Sequence, residues 1–389
     1  MVRLALDILE EIARHLQNDK DRLTLSSLSL VSSSLLEPCR KHLFYTVSFH
    51  DQTPKFPSTY QKFDKVLQET PRIGEYVREI HLLINDFQES DTAPFHSILN
   101  HITKPTNLVI SPFVLETQHT VIGPWEQLPC GFREGVERIV GYPTLRSLSF
   151  DRIRMVPVSL IARASNLCYL DFFTASLITT TPATATPGSS VKPFLNHLGV
   201  KDCTSWSYVF SPIDNPHNTF TSITRALPFD LTHLTHLELD VNCVTAKATQ
   251  GLIDQSSLTL QSLSFAVTGA GMISLKSVQN LRVLTFILNL GTFVYPPGPE
   301  THSAFFNIVR SLDAECPLQD GIVIGAYNCT SILSLIPATV WKRVDDLLIN
   351  IGRKTLIRTT DTTETWKKLL PRSDLMGILT ITPGRIFKE

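Results

Sequence analysis

A single spacing of apolar residues, Leu-x-x-Leu-x-Leu in relaxed form, constrains this chain more than any other feature, and it recurs eight times. It falls at Val77-Ile80-Leu82, Leu145-Leu148-Phe150, Leu167-Leu170-Phe172, Leu195-Leu198-Val200, Leu234-Leu237-Leu239, Leu260-Leu263-Phe265, Leu281-Leu284-Phe286 and Val344-Leu347-Ile349. Successive starts from 145 to 281 lie 22, 28, 39, 26 and 21 residues apart. The last two apolar positions alternate as they do on a strand with one buried face. A unit of this size cannot bury that face alone, so it must stack on its neighbours. The spacing therefore predicts strand-plus-return units in series, with insertions in the longer intervals. Single copies of the pattern also occur in ordinary α/β domains, at a strand edge or along one helical turn; eight copies favour the stack.

The period is similar to that of leucine-rich repeats, which run to roughly 20–29 residues per unit. The asparagine typical of regular repeats appears only at Asn242 and Asn289, so the repeats are degenerate. Residues 174–192, TASLITTTPATATPGSSVK, are rich in Thr, Ser, Ala and Pro and read as a flexible surface loop. Further loops are expected at 211–218, 291–300 and 361–365. The segment 85–131 carries five prolines and departs from the repeat, with one helix expected around Phe95 to His101.

The N-terminal stretch has helical rather than strand periodicity. Leu6, Ile8, Leu9, Ile12, Ala13 and Leu16 form one arc of a helix, with Asp7, Glu10, Glu11, Arg14 and His15 opposite. Asp21 can cap a second helix, on whose face Leu25, Leu28, Ser32 and Leu35 would fall. Ser34-x-x-Glu37 reads as a capping box opening a third, with Cys39 and Leu43 inward. Beyond it, Tyr45, Val47 and Phe49 alternate as a strand. Tyr60, Phe63 and Leu67 mark a helix ending before Pro71.

Three elements of this stretch, Leu4-Ala5-Leu6-Asp7-Ile8-Leu9, Ser29-Leu30-Val31-Ser32 and Arg40-Lys41-His42-Leu43-Phe44, together resemble an F-box-like motif of the form common in fungal proteins. Phe63-Asp64-Lys65-Val66-Leu67 and Thr70-Pro71-Arg72-Ile73-Gly74-Glu75-Tyr76-Val77-Arg78-Glu79-Ile80-His81-Leu82 resemble the segment C-terminal to the motif in those proteins. The motif's usual proline is Ala5 here, and its usual tryptophan is Leu35. The resemblance implies an α/β chain with an N-terminal three-helix F-box-like bundle over 1–49, a connector with one helix over 50–75, and an irregular leucine-rich-repeat-like α/β solenoid over 76–389. It implies a substrate-recognition subunit of an SCF-type cullin ubiquitin ligase. The helices would dock a Skp-type adaptor through Leu4, Leu6, Ile8, Leu9, Ile12, Leu16, Leu30 and Val31, the adaptor would join them to a cullin scaffold, and the repeats would bind an unknown substrate protein. The alternative is a repeat-type interaction scaffold that has lost adaptor binding.

The composition excludes several other classes. Lys and Arg number 35 against 36 Asp and Glu, so there is no electrostatic footprint for nucleic acid. Seven scattered cysteines without paired spacing indicate neither a disulfide framework nor a zinc site. No apolar run spans a membrane and no signal-peptide core opens the chain, which predicts a cytoplasmic or nuclear protein, not a secreted one.

The sequence carries no catalytic signature. Gly269-Ala-Gly271 is a turn, not a phosphate loop, and neither H-E-x-x-H nor G-x-S-x-G occurs. His233 and His236 flank Leu234 without metal-sharing geometry. Glu10-Glu11 and Asp345-Asp346 read as solvated faces, and the four tryptophans as core. No catalytic, cofactor-binding or metal-binding residue is expected, and no cofactor. An enzyme with a site assembled from dispersed residues is the remaining rival.

Overall fold

The structure, a computed structural model, describes residues 6–18, 21–49, 58–84, 87, 89–111, 124–173, 175, 177–178, 194–201, 229–241, 246–267, 273–289, 318, 320–327, 338–352, 354–359 and 363–383. Two compact units divide the chain, one within Met1–Cys168 and one containing the described residues from Tyr169 onward.

The first unit opens with α1 (Leu6–Asn18), α2 (Arg22–Val31) and α3 (Ser33–Leu43). Asp21 caps α2 by accepting the Thr24 N–H at 2.9 Å. Ser32, not Ser34, caps α3: its backbone is extended and its hydroxyl accepts the Ser34 N–H at 3.2 Å. The expected capping box does not form, because Glu37 turns instead to the Tyr76 hydroxyl and to Arg72. α2 stops at Val31, so Leu35 packs from α3 rather than extending the α2 face. Ala13, Leu25 and Cys39 are the shared buried set of the three helices, with Leu16, Leu28, Leu35 and Leu43 against it.

Four strands come next: β1 (Thr46–Phe49), β2 (Glu79–Leu83), β3 (Asn107–Ser111) and β4 (Ser147–Asp151). They pair in chain order and in parallel, with Val47, Ile80, Leu108 and Leu148 in one buried row. Phe49, Leu82, Ile110 and Phe150 form the next buried row. The return segments carry α4 (Thr59–Glu69), α5 (Thr92–His101) and α6 (Cys130–Val140), whose aromatic residues close over the rows. Tyr60 stacks on Phe49 with centroids 4.5 Å apart, and Phe95 meets Tyr60 edge-on at 5.5 Å. Such contacts add about 0.5–1.5 kcal/mol each to the burial of the rings. Segment 85–131 is thus no departure from the repeat, since it supplies α5 and β3.

After β4 come the two-residue β5 (Val156–Pro157) and the short α7 (Val158–Ile161). The second unit continues the arrangement with β6 (Tyr169–Phe173), the two-residue β7 (Leu177–Ile178), β8 (His197–Lys201), β9 (His236–Val241), β10 (Ser262–Val267), β11 (Val283–Asn289), β12 (Gly321–Tyr327), β13 (Thr355–Thr359) and β14 (Leu379–Pro383). Apart from β7, each pairs in parallel with the next. Leu170, Leu198, Leu237, Leu263, Leu284 and Ile322 form one buried row through this register. The helices are α8 (Ala246–Gln255), α9 (Ala338–Ile351), α10 (Thr363–Leu369) and α11 (Pro371–Leu375).

Within each unit the strand order never reverses, as it would in a doubly wound domain, so the architecture is that of stacked repeats. Seven of the eight predicted repeat patterns lie on strands. The eighth, Val344-Leu347-Ile349, is inside α9, where Val344 and Leu348 are the buried pair at helical spacing. Loops predicted at 211–218 and 291–300 lie outside the described residues, as does most of 174–192, of which Leu177–Ile178 is strand. Residues 363–365 begin α10 rather than a loop.

Turn chemistry joins neighbouring repeats. The carbonyl just before a strand accepts two N–H groups from the start of the next: Tyr45 from Arg78 and Glu79, Arg78 from Thr106 and Asn107, and Thr106 from Arg146 and Ser147. In the second unit Asn196, Thr235 and Gln261 do the same. Turn side chains add a second link, as where Asn280 Nδ2 donates to the Leu258 carbonyl at 2.6 Å and Thr144 Oγ1 to that of Pro105 at 2.7 Å. These bonds use residues before the strand, whereas Asn289 is the last residue of β11 and Asn242 lies outside the described residues.

Candidate functional site

Two surfaces stand out, one on each unit. On the first, α1 and α2 expose large aliphatic side chains although their own core is filled. Leu9 is buried, and Leu16 packs against Ala13, Leu25 and Cys39. Ile8 and Ile12, one turn apart on α1, are 48% and 42% exposed. Leu30 and Val31 on α2 are 85% and 74% exposed. Leu4 lies outside the described residues, and of Leu6 only the backbone is described. The eight residues named from the sequence thus separate: four face solvent and two serve internal packing. Leu23, 84% exposed, joins the four without having been expected. Its signal in the sequence is the seven-residue spacing to Leu30, two helical turns on one face.

Beside these helices a polar cleft of about 640 Å³ separates them from the first repeat. Its charges pair with one another, Lys41 with Glu10 at 2.8 Å and Arg72 with Glu37 at 3.1 Å. The Tyr76 hydroxyl donates to Glu37, and burial together with that carboxylate pushes its pKa up to about 12. Burial holds the His42 imidazole below the usual histidine range. Through Glu37, which binds Arg72 and Tyr76, the cleft fastens α3 to the first repeat.

On the second unit, the strand face opposite the buried rows carries a mixed polar and aromatic patch on β6, β8 and β9. Register places Tyr169, His197 and His236 in one row and Asp171, Gly199 and Glu238 in the next. His197 Nε2 lies 3.0 Å from Asp171 Oδ1. A Cβ built at Gly199 would stand 2.0 Å from that same oxygen, so only glycine leaves room for the pair. The His197 ring is 5.7 Å from Tyr169 and 6.1 Å from His236. Burial, and then the neighbouring His197, hold His236 below the usual histidine range. At the strand entries Phe194 and His233 pack ring to ring at 4.1 Å. His197 and Asp171 match no motif; their signal in the sequence is the column formed by the residues that alternate with the repeat leucines.

Other candidate groups have structural uses. Asp345, expected on a solvated face, is buried and bonded to Ser373. Trp125, Trp341 and Trp366 are core residues, while Trp206 lies outside the described ones. Cys130 is exposed, but its thiol donates to Glu134, which with the carboxylate charge pushes its pKa up and disfavours the thiolate. Among the described residues no three His, Cys, Asp or Glu side chains converge as a metal site. No helix among them is long and apolar enough to cross a membrane.

No protein-family model matches this sequence, and no curated protein matches it. Among solved structures, the leucine-rich repeat-containing protein LegL7 from Legionella pneumophila aligns over 90% of this chain and 94% of its own, with 11% identity and a TM-score of 0.39. The repeat architecture rests on this chain's own register and turn bonds.

Proposed function

We propose that this chain is a non-catalytic interaction protein whose N-terminal helices dock a Skp-type adaptor of a cullin ubiquitin ligase, and whose repeats hold a substrate protein. The observation that carries this reading is the exposure of Ile8, Ile12, Leu30 and Val31 on helices whose core is already complete. Isolated exposed aliphatic residues are ordinary, but four on two adjoining helices, with Leu23 beside them, fit an apolar docking surface. The resemblance of residues 4–44 to an F-box-like motif supplies the identity of the adaptor. The repeats supply a column of polar and aromatic side chains on an open strand face, the surface that stacked repeats use for partners.

The test is co-purification of the full chain with a Skp-type adaptor, beside Ile12→Asp and Leu30→Asp variants. Both positions face solvent, so the variants should unfold at the same denaturant concentration as the parent while losing the adaptor. An intact, folded parent that does not retain the adaptor refutes the ligase role. What survives is the alternative, a repeat scaffold without adaptor binding; Leu35, standing where the motif has tryptophan and packed into the helices' own core, favours that outcome.

A further inference from the structure

Among the described residues, β14 is the last strand of its sheet and pairs only with β13. It nevertheless carries the interior side chains of a repeat. Ile381 stands in register with Ile357 and Ile324, both buried, yet is itself partly exposed, as is Leu379 beside Thr355. At the turn that enters β14, Leu375 and Met376 are 85% and 66% exposed. The backbone of the strand is open as well. The Thr355 N–H donates to the Ile378 carbonyl at 2.9 Å, which turns the polar groups of Ile378, Thr380 and Thr382 towards β13. Alternation along the strand then directs the N–H and carbonyl groups of Leu379 and Ile381, and the Pro383 carbonyl, to the outer edge. Exposed edges are commonly guarded by charge, but residues 376–382, Met-Gly-Ile-Leu-Thr-Ile-Thr, contain no Asp, Glu, Lys or Arg.

Such an edge accepts an uncharged strand that is apolar at alternate positions on one face and polar on the other. Leu379-Thr380-Ile381-Thr382 is itself a strand of that kind. We propose that β14 pairs antiparallel with β14 of a second copy of this chain, about a two-fold axis through Ile381. Ile381 then donates to and accepts from its counterpart, and at either end the Leu379 N–H reaches the Pro383 carbonyl of the other copy. Proline, with no N–H to give, ends the pairing there. Across the axis Ile381 faces Ile381 on the apolar side and Thr380 faces Thr382 on the polar side, with no like charges opposed. The contact is isologous and closes on itself, as a two-fold dimer requires. One strand pair with its flanking apolar residues is a small interface, so the dimer is a reversible one. This pairing goes beyond the adaptor reading and does not rest on it.

The test follows the full chain by sedimentation velocity from micromolar to sub-millimolar concentration, beside two variants, Thr380→Lys/Thr382→Lys and Thr380→Glu/Thr382→Glu. Thr380 is exposed and Thr382 partly so, and both variants should unfold at the parent's temperature. The parent should pass reversibly from monomer to dimer, and the Leu379 and Ile381 amides should exchange with deuterium more slowly as the dimer fills. Each variant sets like charges opposite one another and should need about tenfold more protein to dimerise. An equimolar mixture of the two opposes Lys to Glu and should dimerise at least as readily as the parent. A parent that stays monomeric at every concentration, its edge covered by other residues of the chain or by nothing, overturns the assignment. So does a variant that dimerises like the parent, or a mixture no better than its components. Should either variant fail to fold, the concentration dependence of those two amides in the parent decides the matter.

Discussion

Asp345 on α9 caps the N-terminus of α11 through Ser373: one carboxylate oxygen accepts both the backbone N–H and the hydroxyl of Ser373, 28 residues away in sequence. The other oxygen accepts the Arg372 N–H at 2.9 Å, and Asp346 pairs with the Arg372 guanidinium. A buried acid distant in sequence here replaces a local cap. Asp345→Ala would strand those donors in the core and should lower stability by about 2–4 kcal/mol, since each buried unpaired donor costs about 1–3 kcal/mol. Asp345→Asn keeps an acceptor and should lose less. Urea unfolding of the three proteins reads the difference, and a loss below about 0.5 kcal/mol for the alanine variant would contradict the capping role.

Tyr76 gives the first unit an alkaline limit. Its folded pKa, about 12, lies above the ordinary value of 10 because the neutral phenol is buried and bonded to Glu37. A folded pKa above the unfolded one favours the protonated form, so this stabilisation is complete below pH 10 and is lost as the pH rises towards 12. Tyr76→Phe should cost about 1 kcal/mol at pH 8. The gap between parent and variant should then narrow between pH 10 and 12; a constant gap across denaturation curves in that window would refute the assignment.

Two glycines at α6 should answer alanine in opposite ways. A Cβ at Gly135 would lie 2.1 Å from the Phe95 ring, whereas at Gly141 its nearest neighbour is 3.4 Å away. Alanine raises helix propensity by about 1 kcal/mol, but overpacking a core costs about 1–3 kcal/mol. Gly135→Ala should therefore destabilise the protein despite the better helix former. Gly141, at φ −73°, lies in backbone space open to any residue, and Gly141→Ala should be neutral or gain up to about 1 kcal/mol. Thermal unfolding of the pair decides it.

Much of this fold is legible in the sequence because burial of apolar rows is its dominant force. Leu145, Leu148 and Phe150 announce β4 as plainly as Leu281, Leu284 and Phe286 announce β11, since a buried row admits little else. β3 is hidden by Pro105, a buried proline at the first apolar position of Pro105-x-x-Leu108-x-Ile110. β13 is hidden by Thr355 and Thr359, which take buried positions where leucine is the usual signal. Val344-Leu347-Ile349 misleads for the opposite reason: three apolar residues at mixed spacing satisfy a strand and a helix alike, and packing with α11 selects the helix. The helical surface is half legible. The arc of α1 is visible, but only the structure divides it into Leu9 within and Ile8 and Ile12 without. The patch around Gly199 is invisible in the sequence, since it depends on which residues the register sets side by side across separations of 28 and 39 positions.

The paired amides at six strand entries give this architecture a grammar. Every one of these joints presents the same receptor, one carbonyl for two N–H groups of the adjoining repeat. Nothing in that bond depends on side-chain identity, so Tyr45, Arg78, Thr106, Asn196, Thr235 and Gln261 can all fill the position. A lineage of such chains is free to duplicate, delete or exchange whole units at these seams, and to vary the outward residues within a unit, while the joint between units stays the same.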